Sequence, residues 1–155
     1  MKLALYRGTS LVSRLIRWQT RSVYSHAAML MDDDTVYEAW HRGGVSHAPT
    51  LGFNHSPGTM VELYTFFATD DQLAKIEAFL KSQVGCKYDW LSVIRFVTRF
   101  RTTDGSKSRW FCSELVFAAL DAAGIPPLSR IEPHLITPRD LGMSPVFEFE
   151  RTTTT

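Results

Sequence analysis

The hydrophobic pattern opens with a short apolar run. Residues 2–6 read Lys-Leu-Ala-Leu-Tyr and end at Arg7-Gly8, which predicts a β-strand. Thr9 or Ser10 can then cap a helix whose apolar residues form a stripe, with arginines off that stripe. The stripe consists of Leu11, Val12, Leu15, Ile16 and Trp18, and the arginines are Arg14, Arg17 and Arg21. We interpret this helix as packed on the core through its stripe, and a helix lying on a membrane surface is the alternative.

Two apolar segments, 25–31 and 35–40, flank three consecutive aspartates and predict a β-hairpin with the aspartates in its turn. A three-residue loop, residues 32–34, would pair Leu30 with Val36 and place His26 and Glu38 on the same face of the hairpin as diagonal neighbours. A loop of two or four residues would put them on opposite faces. The register of this hairpin is therefore a testable part of the functional hypothesis.

The next segment, 41–58, contains four glycines, two prolines and three histidines and has no sustained periodicity. We expect a long loop there, of the kind that often has a functional role. Alternation returns over 59–67, which predicts a strand with Met60, Glu62, Tyr64 and Phe66 on one side.

Thr69 and Gln72 match a capping box, and the helix that they begin has an apolar stripe that ends at Gly85. The stripe is formed by Leu73, Ile76, Phe79, Leu80 and Val84. Asp89 can cap a further helix, and 102–108 reads as a polar loop.

A further helix is predicted from the run 115–120, and it ends before Gly124 and the prolines at 126 and 127. Residues 145–151 alternate as a final strand, and the tail 152–155 is expected to be disordered. The chain length of 155 residues fits one domain, which we place at residues 1–151.

Charge and composition exclude several classes of function. Seventeen Lys and Arg residues against sixteen Asp and Glu give a net charge of +1, so the bulk charge gives no reason to expect nucleic acid or an anionic membrane as a partner. No apolar stretch reaches membrane-spanning length and no signal peptide is visible, so we expect a soluble cytoplasmic protein without stable membrane insertion. In that compartment Cys86 and Cys112 are expected to be free thiols, with Cys86 structural.

Cys112 has the most promising chemistry, because it lies at or beside the start of a predicted helix. Unpaired N–H groups and the helix dipole there favour a thiolate and can bind an oxyanion. A cysteine nucleophile also needs a base, and the base works better when a third group orients it. His26 and Glu38 on the predicted hairpin can supply these two roles.

Four segments, Tyr24–Ala28, Val36–Trp40, Gly85–Asp89 and Phe111–Val116, together resemble the circularly permuted NlpC-like papain-fold cysteine hydrolases, a group related to lecithin:retinol acyltransferase-like proteins. The resemblance implies an α+β, papain-like fold with a small antiparallel sheet packed against the cysteine-bearing helix. It also implies Cys112 as nucleophile, His26 as base and then acid, and Glu38 as orienting residue. Three residues are candidates for substrate binding or the oxyanion hole: Tyr88, Ser113 and Tyr24.

The implied activity is cleavage of an amide bond, as in a peptidase or amidase acting on a small peptide or acyl-amide, with cell-wall peptide as one candidate. Lipid-type acyl transfer or ester cleavage by the same triad is the first alternative, and a binding module that keeps the fold without turnover is the second. No cofactor and no metal are expected, and a partner protein is not identified. His41, His47 and His55 are spaced by six and eight residues, which matches no common zinc pattern.

Overall fold

The computed structural model describes residues 1–89 and 109–155 and has the α+β architecture expected from the sequence. The helix predicted to begin at Asp89 and the loop predicted over 102–108 lie outside these described residues, apart from Asp89 itself. The strands are β1 Lys2–Arg7, β2 His26–Leu30, β3 Val36–Trp40, β4 Gly44–Ala48, β5 Met60–Phe66, β6 Lys87–Tyr88, β7 Arg109–Trp110 and β8 Phe147–Thr154. The α-helices are α1 Leu11–Thr20, α2 Asp70–Gln83, α3 Cys112–Ala122 and α4 Pro138–Gly142, and Pro133–Leu135 form a 3₁₀ turn.

Six strands form one sheet in the order β4-β3-β2-β1-β5-β8, and every neighbouring pair is antiparallel. The two short strands β6 and β7 pair in parallel. Helix α3 packs on β2, β3 and α2, and eight of its residues are buried. An apolar helix of this kind, covered on several sides, can hold a residue at its N-terminus in a fixed position against the sheet.

The hairpin register confirms the sequence prediction. Leu30 pairs with Val36 and Met29 with Tyr37, so the aspartates form the three-residue loop. Asp33 stabilises the turn, since its Oδ1 accepts hydrogen bonds from the backbone N–H of Thr35 at 3.1 Å and from its hydroxyl at 2.6 Å. The capping box of α2 is confirmed as well, with reciprocal bonds between Thr69 and Gln72.

The segment 41–58 is not a loop throughout, and that prediction was wrong over 44–48. Strand β4 lies there and pairs with β3 along its whole length. Its sequence, Gly-Val-Ser-His-Ala, lacks the run of β-branched and aromatic residues that indicates a strand. Tertiary contacts compensate, because the Val45 N–H donates to the Cys86 carbonyl at 2.8 Å and the Gly85 N–H donates to the Val45 carbonyl at 2.9 Å.

Helix α1 packs on the core through only part of its predicted stripe, namely Ile16 and half-buried Val12. Ser10 caps the helix as expected, and Ile16 is buried. In contrast, Leu11 is 82% exposed, Leu15 49% and Trp18 73%. A stripe broader than one face of the helix cannot be buried against a single layer, so the helix turns its outer apolar residues to solvent.

The tail predicted to be disordered is instead ordered, since β8 extends through Thr154. Met60 pairs with Thr154 and Val61 with Thr153, and the Thr155 N–H donates to the Thr59 carbonyl at 3.0 Å. Threonine is β-branched and favours extended backbone, and the exposed edge of β5 offers it a complete ladder of hydrogen bonds. The domain therefore includes the residues beyond 151.

Both cysteines are free thiols, as predicted from the sequence. Cys86 is half-buried and its thiol lies 3.7 Å from Oε1 of Gln83. Within residues 1–89 and 109–155, none of the helices has both the length and the apolar character needed to cross a bilayer.

Candidate active site

His26 and Glu38 are in direct polar contact. Nε2 of His26 lies 2.7 Å from Oε2 of Glu38, and their side chains are 7% and 2% exposed. His26 is the first residue of β2 and Glu38 is central in β3, so the antiparallel register brings them together as diagonal neighbours. Because Nε2 is held by Glu38, Nδ1 is the ring nitrogen that remains for a proton exchange with another group.

Cys112 is the first residue of α3 and is fully buried. The first helical hydrogen bond runs from the Leu115 N–H to the Phe111 carbonyl at 3.0 Å. The backbone N–H groups of residues 112–114 therefore precede the hydrogen-bonded part of the helix. Such N–H groups, at the positive end of the helix dipole, can stabilise negative charge on sulfur or on an oxyanion.

Electrostatic interactions connect Cys112 to the histidine. Burial disfavours the charged imidazole, but interaction with the Cys112 side chain and then with Glu38 outweighs burial and raises the pKa of His26 to about 10. Burial likewise disfavours the charged carboxylate, yet hydrogen bonds and charge interactions from the histidines hold the pKa of Glu38 well below its ordinary value. The arrangement therefore favours an imidazolium between two groups that can carry negative charge.

Asn54 holds Glu38 by a hydrogen bond and His55 lies beside the same carboxylate, and the sequence did not reveal either contact. Nδ2 of Asn54 donates to Oε1 of Glu38 at 2.7 Å, and Nε2 of His55 lies 3.5 Å from Oε2 of the same carboxylate. The His55 ring stacks on Tyr6 with centroids 3.9 Å apart. Burial lowers the pKa of His55, so its imidazole is neutral at pH 7. Both residues lie in the segment 49–59, whose path over the sheet has no periodic signal in the sequence.

Of the three candidate substrate-binding residues, Tyr88 interacts electrostatically with Cys112. Burial and then the charge of Cys112 raise the pKa of Tyr88, so its hydroxyl stays protonated and can donate a hydrogen bond. Tyr88 also lines a cavity between α1 and the sheet, together with His26 and Trp40. The position is compatible with contact to a substrate held near Cys112.

Ser113 and Tyr24 are occupied elsewhere. The Ser113 hydroxyl donates to the Ile136 carbonyl at 2.5 Å and thereby ties α3 to the 3₁₀ turn, so only its backbone N–H remains for an oxyanion. Tyr24 contacts Arg7, Glu62 and Tyr64, with its hydroxyl 3.0 Å from that of Tyr64. Because this polar cluster on β1 and β5 engages its hydroxyl, the prediction that Tyr24 belongs to the oxyanion or substrate site is not supported by the geometry.

The histidines of the segment 41–58 do not meet one another at a single point. His47 stacks on Tyr37 at 4.2 Å, whereas His41 packs beside Trp40 at 4.5 Å. His55 instead joins His26 and Glu38, and one ligand atom from each of these three residues lies within 4.8 Å of the others. A different set from the one considered in the sequence is thus close enough to hold a metal ion.

No family model matches the chain, and no curated protein matches it. Among solved structures, its fold is similar to the crystal structure of the metalloprotein YiiX from Escherichia coli O157:H7, described as DUF1105. The TM-score is 0.69 at 17% sequence identity, and the match covers 98% of this chain and 96% of that chain. At this identity the likeness establishes a shared fold over the whole length, and function has to be argued from the site.

Acid should weaken the contribution of Glu38 to stability. Its folded pKa is lowered from the ordinary value, so its contribution is fully present above about pH 4.5 and is lost as the pH falls. His26 stays protonated in the folded state at acidic pH because folding raises its pKa from 6.5. It is also protonated in the unfolded state at a pH well below 6.5, so it does not contribute to this change. We therefore expect the difference in unfolding free energy between wild type and Glu38→Gln to shrink from about pH 6 to about pH 3.5, as measured by urea titration. A constant difference would contradict the assignment.

Removal of the Asn54 amide should also destabilise the protein. A hydrogen bond to a charged group contributes about 1.5–3 kcal/mol, so Asn54→Ala is expected to lower the unfolding free energy by an amount in that range. The matched control is Asn54→Gln, which keeps the donor but lengthens the side chain. Urea unfolding at neutral pH measures both variants, and a loss below about 0.5 kcal/mol in Asn54→Ala would contradict a structural role for this bond.

Proposed function

We propose that this chain is a thiol-dependent hydrolase in which Cys112, His26 and Glu38 act together on an amide or ester carbonyl. The observation that carries the proposal is that buried His26 interacts with both Cys112 and Glu38. The cysteine is far from the other two residues along the chain. A nucleophile, a base and a group that orients the base are the three parts that acyl transfer by a thiol requires.

The chemistry follows from these positions. The Cys112 thiol passes its proton to His26, and the sulfur attacks the carbonyl carbon and forms a C–S bond while the oxyanion accepts hydrogen bonds from N–H groups at the start of α3. His26 then gives its proton to the departing nitrogen or oxygen as the bond from that atom to the carbonyl carbon breaks. Water attacks the thioester with His26 as base, which releases the acid and restores the thiol. Glu38 keeps the imidazole in one orientation and stabilises its cationic form throughout.

The fold proposed for this activity is a circularly permuted papain-like one, in which the histidine strand precedes the cysteine helix. The order of β2 and α3 along the chain supports this assignment. We propose an amide as substrate, in a small peptide or an acyl-amide, with lipid-type acyl transfer or ester cleavage as the alternative chemistry on the same triad. A binding module that uses the same pocket without turnover is the contrasting hypothesis.

Covalent labelling tests the proposal directly. Wild type, His26→Gln and Cys86→Ala are each incubated with an acyl-ester or peptide electrophile, and the adduct is located by intact mass and peptide mapping. We expect a single adduct on Cys112 in wild type and Cys86→Ala, formed at least about 100-fold faster than in His26→Gln, because base catalysis contributes a factor of this order. Labelling on Cys86, or equal rates in wild type and His26→Gln, would count against the triad.

A second candidate function is metal binding by His26, Glu38 and His55. The ligand atoms of these residues cluster within 4.8 Å, and imidazole with carboxylate is a ligand set that suits Zn²⁺ and other first-row ions. The similar structure, YiiX, is described as a metalloprotein, which supports testing this chain for metal. A metal bound to Nε2 of His26 would displace the Glu38 hydrogen bond, so the two functions compete for one nitrogen.

Metal titration separates the two candidates. Calorimetric titration of Zn²⁺ into chelator-treated wild type and His55→Ala measures affinity, and labelling of Cys112 is repeated with and without Zn²⁺. If the site is a resident metal centre, we expect binding in the micromolar range or tighter, lost in His55→Ala. If the site is a thiol hydrolase, we expect labelling to persist in the chelator-treated protein.

A further inference from the structure

The outer face of α1 is an exposed apolar strip. It is formed by Leu11, Leu15 and Trp18, which are 82%, 49% and 73% exposed. At about 100° per residue, these three side chains fall within an arc of about 60°. Buried Ile16 lies on the opposite side of the helix and anchors it to the core. The helix therefore has two apolar faces, and only the inner one is covered within the part of the chain that the structure describes.

Arginines lie along one flank of this strip. Arg14 and Arg17 lie beside the strip within α1, and Arg21 is the C-cap residue of the helix. None of the three guanidinium groups forms an ion pair with a carboxylate of residues 1–89 or 109–155. Residues 1–31 contain no Asp or Glu, so no carboxylate close in sequence offsets the arginines of α1, although the net charge of the chain is only +1.

The combination of side chains matches a bilayer surface. Leucine and tryptophan on one face enter the boundary between headgroups and acyl chains, where an indole ring is well accommodated. Guanidinium groups beside that face pair with lipid phosphates and are attracted by an anionic surface. A neutral bilayer would interact only with the apolar strip, which consists of three side chains.

The position of α1 gives such docking a consequence for the site. On its inner side Val12, Ser13 and Ile16 line the cavity that His26, Trp40 and Tyr88 also line. One helix thus separates the exposed apolar strip from the cavity beside the histidine. A surface bound to the strip would lie against the rim of that cavity.

We propose that α1 docks flat on anionic membranes, with Leu11, Leu15 and Trp18 at the acyl boundary and the arginines among the phosphates. Docking of this kind is peripheral and reversible, since the strip is short and no helix of the described residues is long and apolar enough to cross a bilayer. It does not require turnover at Cys112.

Vesicle co-sedimentation tests the proposal. The intact protein is mixed at low salt with vesicles of phosphatidylcholine alone or with about 30% phosphatidylglycerol, a fraction chosen to give an anionic surface. We expect binding at least about tenfold tighter to the anionic vesicles, weakening as salt screens the arginines. Leu11→Ser with Trp18→Ser should reduce this binding at least about tenfold, and Arg14→Glu should weaken the preference for anionic lipid.

Controls make the outcome specific. Phe67, which is 88% exposed and lies after β5, gives the matched apolar variant Phe67→Ser, and exposed Arg130 gives the charge control Arg130→Glu. Both should bind vesicles as wild type does, and so should Cys112→Ala, which separates docking from catalysis. The proposal is overturned by absent binding at low salt, by equal binding to both vesicle types, or by equal losses in Phe67→Ser. A change of oligomeric state in Leu11→Ser without vesicle binding would instead assign the strip to a second copy of the chain or another protein.

Discussion

Cys112→Ala is expected to lose turnover of an activated aryl ester by roughly three to six orders of magnitude, because the substitution removes the sulfur proposed to form the acyl intermediate. The residual rate should come only from binding and from N–H groups at the start of α3. Release of p-nitrophenol from short-chain p-nitrophenyl esters measures kcat/KM for both proteins. Burst kinetics in wild type would report the acyl-enzyme directly.

The decisive comparison is the double variant. If Cys112 and His26 act as one unit, Cys112→Ala with His26→Gln should be no slower than Cys112→Ala alone, since the second substitution removes a partner that no longer has a function. Cys86→Ala serves as the thiol control and should retain wild-type kcat/KM. Additive losses, or an equal loss in Cys86→Ala, would contradict a single nucleophilic unit.

Substitutions of Glu38 should change the unfolding free energy and the rate of turnover to different extents. Glu38→Leu leaves His26 and Asn54 facing an apolar side chain in a buried position, and removal of one partner from such a pair costs about 3–5 kcal/mol. Glu38→Gln keeps the shape and can still accept from Asn54, so we expect a smaller loss of unfolding free energy. Its effect on turnover should nevertheless be about 10²–10⁴-fold, because the imidazolium of His26 loses its negative partner.

Urea unfolding and ester kinetics on the same preparations measure the two quantities. The pattern of a modest stability loss with a large activity loss in Glu38→Gln is specific to an orienting carboxylate. Full activity in Glu38→Gln would instead make Glu38 a packing residue. Far-UV circular dichroism confirms that the variants are folded before the rates are compared.

The parts of this fold that were predictable from the sequence have local causes. The hairpin is one, because three aspartates cannot remain in a buried strand and their number fixes the register that pairs Leu30 with Val36. The α2 cap is another, because Thr69 and Gln72 satisfy each other within one turn. The position of Cys112 at the start of α3 follows from the apolar run after it.

The remaining features depend on contacts between distant segments. Strand β4 exists because its backbone pairs with β3 and with residues 85 and 86, and the tail is ordered because β5 has a free edge. The composition of β4 does not indicate that it pairs with β3, and the composition of the tail does not indicate that it pairs with β5. Periodicity located the helix α1, but it does not say which of two apolar faces is covered.

The same limit applies to the candidate site. The proximity of His26 and Glu38 could be predicted from the sequence because both residues belong to one hairpin. Asn54 and His55 could not, because their approach to Glu38 depends on the path of a segment that crosses the sheet. Tyr24 was assigned to the site through its neighbours in the sequence, yet it precedes β2 and its hydroxyl contacts Glu62 and Tyr64 on β5.

The hairpin also has a consequence for how the protein is made. His26 and Glu38 are 12 residues apart, whereas the thiol follows the histidine by 86 positions. Contacts of short sequence separation form early, so a chain leaving the ribosome can complete the imidazole–carboxylate pair well before its sulfur emerges. Assembly of the proposed site would then wait for α3 to emerge and dock, after the hairpin that contains His26 and Glu38 has formed.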